Sequence, residues 1–145
     1  MGNSLSISVI IVTLNRADSL KEALTSLVRQ VRQPDEVIVA DNGSTDNTRE
    51  ITLSFKDRLN IKYVYEGKRG IPYARNAGVK KATKDIVAFI DDDCIAHKNW
   101  LEHLEIPFIK DPHIGVVGGE VCHFKTGEGI VDEFHTRNMP EVPSE

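Results

Sequence analysis

The chain has 145 residues, 40% of them hydrophobic and 28% charged, and its formal net charge is -4. This length and balance are typical of one soluble globular domain, and they exclude collagen-like, disordered and disulfide-scaffold proteins. An acidic chain repels a polyanion, so nucleic acid is not an expected partner.

Strand patterns alternate with helix patterns from the first residues onward. A buried strand is predicted over residues 6–13, because four β-branched residues follow one another at its centre. A helix is predicted over residues 17–31, where apolar side chains recur every three or four positions. A second strand covers residues 36–40, and a second helix, capped by Ser44 or Thr45, runs to about residue 59.

The same alternation continues through the middle of the chain. A third strand is predicted over residues 61–65, and a third helix starts at Pro72, which suits a first helical turn. A fourth strand over residues 85–90 and a fourth helix over residues 99–106 follow, and Pro107 is expected to bend or stop that helix. A fifth strand is predicted at residues 116–117.

This order of elements predicts an α/β fold with a mostly parallel sheet and helices on both faces, in three layers. The pattern ends after about residue 125. The chain therefore divides into an α/β domain over residues 1–125 and a tail, or the start of a further part, over residues 126–145.

Three polar clusters follow predicted strands, at the edge where parallel sheets bind ligands. They are residues 13–16, residues 41–44 and the three aspartates 91–93. Three adjacent carboxylates repel one another and favour a divalent cation with hard oxygen ligands, Mg²⁺ or Mn²⁺. The alternative is a solvated acidic turn before the fourth helix.

Two further segments carry binding chemistry of lower specificity. Asp41 could accept hydrogen bonds from a base or a ribose, although residues 41–46 also suit an ordinary turn. The cations of residues 68–75 lie around a helix N-terminus, which suits a diphosphate. Their alternative is a solvated basic helix face.

Taken together, the clusters resemble the nucleotide-sugar half of family 2 inverting glycosyltransferases of the GT-A fold. The similarity lies in residues 9–16, 36–46, 74–78 and 88–93, in the family's order. It implies a nucleotide-diphosphate sugar donor, UDP-linked by preference, a divalent metal (Mn²⁺ or Mg²⁺), and a carbohydrate or lipid-linked acceptor.

The resemblance also implies site residues. The implied contacts to the nucleotide sugar are Thr13, Asn15, Arg16, Asp41, Asn42, Arg75, Asp91 and Asp92. Asp93 is the implied metal ligand, with Asp91 beside it in a DxD motif. The family's general base lies well beyond this motif, and the weak candidates here are Asp132 and Glu133. We therefore expect the donor half of a larger enzyme, with little transfer by this chain alone.

Two other functions stay open from the sequence. A module that binds a nucleotide sugar without transferring it would need only the residues of the three clusters. A metal-dependent nucleotidyltransferase would also use carboxylates on an α/β sheet, but its first loop is usually glycine-rich, and Thr13-Leu-Asn-Arg16 contains no glycine.

The location expected from the sequence is the cytoplasm. No apolar run approaches the roughly 20 residues needed to span a bilayer, and the two cysteines are too few for a secreted disulfide framework. Gly2 with Ser6 fits a myristoylation pattern, so peripheral attachment to a membrane stays open.

Overall fold

The structure, a computed structural model, describes residues 4–119 and residue 121. Four strands and four helices alternate along it: β1 (Ile7–Thr13), α1 (Ala17–Val28), β2 (Glu36–Asp41), α2 (Thr48–Leu53), β3 (Ile61–Tyr65), α3 (Ile71–Lys81), β4 (Ile86–Phe89) and α4 (Trp100–Lys110). The predicted boundary at residue 125 and the tail beyond it lie outside the described residues.

All four strands are parallel and lie in the order β3-β2-β1-β4. The two central strands are almost wholly buried, as their continuous apolar runs indicate. The register places Thr13 beside Asp41 and Asp41 beside Tyr65, so the ends of β1, β2 and β3 are level. Their carboxyl ends therefore form one edge of the sheet.

Helices cover both faces of this sheet, as predicted. On one face, alternate residues of β1 and β2 share a core with Leu20, Leu24 and Leu27 of α1 and with Leu101 of α4. On the other face, α3 approaches closely at Gly78, where an added Cβ would lie 2.7 Å from Ile10 Cγ2. The three-layer α/β arrangement is confirmed.

The helices differ from the predicted ones at their ends. α1 ends at Val28, and the regular part of α2 ends at Leu53. The N-cap of α2 is neither Ser44 nor Thr45 but Asn47, whose side chain makes no capping hydrogen bond. The preceding Asp46 carboxylate accepts hydrogen bonds from the Thr48 N–H at 3.1 Å and from its hydroxyl at 2.6 Å. Its other oxygen accepts from the Ala17 N–H at 3.1 Å, so one side chain satisfies the first N–H of both α1 and α2.

Pro107 was expected to bend or to stop α4; it does not stop the helix, which continues to Lys110 with Pro107 inside it. A proline within a helix costs roughly 3 kcal/mol. Leu104 and Phe108, on either side of it, pack against the core, and this burial offsets the lost hydrogen bond.

The prediction that a fifth strand begins at residues 116–117 is also wrong. Residues 114–119 form neither strand nor helix, and Val116 is 81% exposed. β-branched residues make a strand only where a neighbouring strand accepts their backbone hydrogen bonds, and within the described residues none pairs with this segment. Within the same residues, no helix is long and apolar enough to cross a bilayer.

At the opposite edge of the sheet, Glu36 is buried in a polar network between β1, β2 and β3. Its carboxylate accepts hydrogen bonds from the Ser8 hydroxyl at 2.7 Å and the Thr83 N–H at 3.0 Å, and it forms an ion pair with Lys62. Burial alone would raise the pKa of Glu36, but the hydrogen bonds outweigh it and lower the pKa from 4.5 to about 2.

We expect Glu36→Gln to lower the free energy of unfolding at pH 7 by about 2 kcal/mol. Because the folded-state pKa is depressed, the stabilisation by Glu36 is complete above pH 4.5 and is lost as the pH falls towards 2. Urea denaturation of parent and variant across this range measures it. Glu22→Gln, on the exposed surface of α1, is the control, and an equal effect there would contradict the assignment.

Candidate functional site

The carboxyl edge of the sheet brings together the three polar clusters that are far apart in sequence. Thr13 ends β1, Asp41 ends β2, and the aspartates 91–93 follow β4. The strand order places β1 between β2 and β4, so the clusters lie next to one another. The predicted juxtaposition is therefore present.

Asp92 is the buried member of the three aspartates, only 6% exposed. Its Oδ2 accepts a hydrogen bond from the Thr13 hydroxyl at 2.8 Å, and its Oδ1 lies 3.3 Å from the Arg16 guanidinium. Both oxygens thus have partners in the chain. Asp92 and Thr13 tie the end of β4 to the end of β1, and their predicted contact with the nucleotide sugar stays a prediction.

Asp91 and Asp93 are both exposed. An extended chain would point Asp92 away from both of them, but this expectation is wrong, because Asp92 and Asp93 lie in a turn and their carboxylates share one nitrogen of Arg16. One carboxylate oxygen of each, with Cys94 Sγ, forms a group whose atoms all lie within 4.8 Å of one another. Burial raises the pKa of the Cys94 thiol, and the negative charges of Asp91 and Asp93 raise it further. The thiol is therefore protonated at neutral pH. The set therefore favours hard cations through its carboxylates, which fits Mg²⁺ or Mn²⁺.

Arg16 supplies the positive charge at this cluster. The same guanidinium nitrogen, Nη1, lies 3.0 Å from Asp93 Oδ2 and 3.3 Å from Asp92 Oδ1. The two aspartates raise the pKa of Arg16, Asp92 more than Asp93. Arg16 was predicted to contact the nucleotide sugar, and the structure places it on the aspartates.

Asp41 is held from two sides at the end of β2. Its Oδ1 accepts a hydrogen bond from the Ser44 N–H at 2.8 Å, and its Oδ2 accepts from the Tyr63 hydroxyl at 2.5 Å. Burial and this hydrogen bond raise the pKa of Tyr63, which therefore stays a donor. Tyr63 was not among the predicted site residues, since a tyrosine within a strand pattern carries no signal that it faces a carboxylate.

Two asparagines brace the loops of this edge. Asn42 donates to the carbonyl oxygens of Glu66 and Lys68 and accepts from the Gly70 N–H at 2.8 Å. Asn15, in the left-handed backbone region (φ 53), accepts from the Thr45 N–H at 2.7 Å. Both were predicted to contact the nucleotide sugar, and in the structure their side chains hold the loops after β2 and β3.

The basic segment begins where Asn42 holds the chain. Gly70 has φ 131, a backbone conformation that side chains disfavour, and α3 starts directly after it. The exposed Arg75 lies over the Phe89 ring at 5.4 Å, and Lys68 lies over the Tyr73 ring at 3.9 Å. Neither cation has an ion-pair partner within residues 4–119, so both are available to an anion.

An open cavity of about 610 Å³ adjoins Asp41. It lies between the start of α2 and the exposed side of β3, and its lining comprises Asp41, Ser44, Thr45, Asp46, Arg49, Glu50, Tyr63 and Tyr65. The space and its hydrogen-bonding groups suit a small polar ligand.

Known proteins resemble the chain in sequence. The glycosyl transferase family 2 model matches residues 8–137. A validoxylamine A glucosyltransferase of Streptomyces hygroscopicus subsp. limoneus is 40% identical over 100 residues, covering 66% of this chain and 22% of that protein. A chondroitin synthase of Pasteurella multocida is 32% identical over 149 residues, covering 98% of this chain and 15% of that one. The chain spans less than a quarter of either relative.

Solved structures resemble it in fold. The mannosyltransferase PcManGT of Pyrobaculum calidifontis, crystallised with GDP-Man and Mn²⁺, superposes with a TM-score of 0.69 at 28% identity, over 77% of this chain and 34% of that one. Staphylococcus aureus TarS 1-349 in complex with UDP gives 0.66 at 33% identity, over 72% and 32%. These neighbours are transferases of the GT-A fold, which confirms the predicted fold type. On the matched residues and the shared fold, the chain belongs to glycosyltransferase family 2.

Proposed function

We propose that the chain binds a nucleotide-diphosphate sugar, UDP-linked by preference, together with a divalent metal, as the donor-binding part of an inverting glycosyltransferase. One observation carries the proposal: Asp41, the paired Thr13 and Asp92, and the exposed Asp91 and Asp93 lie along one edge of a parallel sheet. It is supported by neighbours crystallised with UDP and with GDP-Man and Mn²⁺.

In this proposal Asp91 and Asp93 hold the metal, Mn²⁺ or Mg²⁺, through carboxylate oxygens. When bound, the metal would neutralise negative charge that grows on the departing diphosphate. Lys68, in the loop before α3, and Arg75, in the second turn of α3, would bind the same diphosphate, because neither has an ion-pair partner in the described part of the chain. Asp41, oriented by Tyr63, would accept a hydrogen bond from the nucleoside.

For transfer with inversion, an acceptor hydroxyl attacks the anomeric carbon from the side opposite the nucleotide, the bond from that carbon to the diphosphate oxygen breaks, and the nucleotide diphosphate leaves. A carboxylate accepts the proton of the attacking hydroxyl. The acceptor class proposed is a carbohydrate or lipid-linked sugar. Asp132 and Glu133, the candidates for the base, lie outside the described residues.

The donor proposal predicts that UDP stabilises the protein only when a divalent cation is present. At a UDP concentration about 100 times its dissociation constant, the free energy of unfolding should rise by about 2.7 kcal/mol. For a domain of this size the melting temperature should then rise by roughly 5 to 10 °C. A thermal-shift titration with Mn²⁺, with Mg²⁺ and with EDTA measures this, and an equal shift in EDTA would contradict metal-dependent binding.

Assays of turnover separate the alternative functions. Transfer from a UDP-sugar to one of a panel of sugar acceptors supports the transferase, and its loss in Asp132→Asn or Glu133→Gln assigns the base. Binding of the donor without transfer or hydrolysis supports a nucleotide-sugar-binding module. Release of pyrophosphate from a nucleoside triphosphate and a sugar phosphate would instead identify a nucleotidyltransferase.

A further inference from the structure

Arg16 occupies an unusual position, at the N-terminus of α1 beside the three aspartates. Its ion pairs with Asp92 and Asp93 are the only hydrogen bonds that its side chain makes among the described residues. The Arg16 side chain is 55% exposed and the Asp93 side chain 57% exposed. The contact between them is therefore weak and readily broken, since water and salt screen ion pairs between exposed side chains.

The two aspartates that Arg16 contacts differ in what else holds them. Asp92 is buried and keeps the Thr13 hydroxyl as a second partner. Within the part of the chain that the structure describes, the Oδ2 of Asp93 accepts a hydrogen bond only from Arg16. A cation that approaches Asp91 and Asp93 meets the Arg16 guanidinium, which already contacts Oδ2 of Asp93. Two positive charges a few ångströms apart repel each other even in water.

We propose that Arg16 is an internal counter-ion that competes with the divalent metal for Asp93 and then, once displaced, binds the diphosphate that arrives with the metal. This inference rests on the proposed metal and nucleotide site. It adds that one side chain opposes the binding of the metal alone and favours the binding of metal and nucleotide together.

The physical reason is the change of partner that Arg16 undergoes. Without a ligand, the guanidinium neutralises part of the negative charge of Asp92 and Asp93. When the metal takes over that role, Arg16 keeps a positive charge near the site, and a phosphate is the partner that suits it, since arginine binds phosphate with charge-assisted hydrogen bonds. The binding of Mn²⁺ and of UDP is therefore positively coupled through Arg16.

The test measures two affinities, that of Mn²⁺ alone and that of UDP at saturating Mn²⁺, for the parent protein, Arg16→Gln and Arg16→Lys. Electron paramagnetic resonance of free Mn²⁺ gives the metal affinity, and calorimetry gives that of UDP. In Arg16→Gln we expect Mn²⁺ alone to bind roughly ten-fold more tightly and UDP to bind roughly ten-fold more weakly. Arg16→Lys should lie between, because it keeps the charge without the planar guanidinium.

Arg29→Gln is the matched control, because Arg29 is exposed directly after the other end of α1 and its loss changes the net charge equally. It should alter neither affinity. If Arg16→Gln weakens the binding of both Mn²⁺ and UDP, Arg16 only holds the aspartates in place. If Arg16→Gln leaves the binding of Mn²⁺ unchanged, Arg16 does not compete with the metal. Either result overturns the inference. A parent that binds no Mn²⁺ would instead overturn the proposed function.

Discussion

Asp93→Asn is expected to weaken the binding of Mn²⁺ by about 100-fold or more, and the Mn²⁺-dependent binding of UDP with it. The substitution removes one of the two exposed carboxylates of the cluster and leaves an amide oxygen, which attracts a divalent cation far less. Stability should change little, because among residues 4–119 the substitution removes just one ion pair, the exposed one with Arg16. Electron paramagnetic resonance of Mn²⁺ and calorimetry with UDP measure the two affinities.

Asp57→Asn serves as the control for this experiment. Asp57 is exposed in the turn after α2 and makes no hydrogen bond or ion pair within the described residues, so both affinities should match those of the parent. An Asp93→Asn protein that binds Mn²⁺ and UDP as tightly as the parent would show that Asp93 is not a metal ligand. The three aspartates would then be a solvated acidic turn, the alternative that the sequence left open.

Asp41→Ala should weaken the binding of UDP by about 100-fold while leaving the affinity for Mn²⁺ unchanged. A buried carboxylate that accepts a hydrogen bond from the nucleoside contributes strongly to affinity, since hydrogen bonds to charged groups are worth about 1.5–3 kcal/mol. The variant should also lose roughly 1–3 kcal/mol of stability, because the Tyr63 hydroxyl and the Ser44 N–H lose their acceptor. Calorimetry and urea denaturation measure these effects.

Tyr63→Phe refines this prediction. It keeps the ring and removes only the hydroxyl that orients Asp41, so the affinity for UDP should fall by about 10-fold rather than 100-fold. Metal affinity, measured on the same samples, reports whether the site as a whole is intact. If Asp41→Ala lowers stability but leaves UDP affinity at the parent's value, Asp41 is a structural residue of the turn and not a nucleoside contact.

Much of this arrangement follows from local patterns in the chain. The four β-branched residues at the centre of β1 predict a strand buried on both faces, and the alternation with helices predicts a parallel sheet. The carboxyl ends of parallel strands lie at one edge of the sheet, so it was predictable that Asp41 and the aspartates after β4 share that edge.

The errors and omissions arise where contacts distant in sequence decide. Ser44 and Thr45 do not cap α2, because the loop after β1 engages those two residues through Asn15, and the Asp46 carboxylate accepts the first N–H of the helix instead. Pro107 stays within α4 because its neighbours pack on the core. Nothing local in β3 marks Tyr63 as the partner of a carboxylate on the adjacent strand.

The sequence by itself determined the type of fold, the edge of the sheet that carries the polar clusters and the family to which they are similar, since these depend on periodicity and on residues adjacent in the chain. Only the tertiary structure decided what each polar side chain contacts. Thr13 and Arg16 reach Asp92 across 79 and 76 positions of sequence, and hydrogen bonds require distances near 3 Å that no spacing along the chain specifies. The division between residues that brace the edge, such as Asn42, and residues left open to a ligand, such as Asp91, follows from that packing.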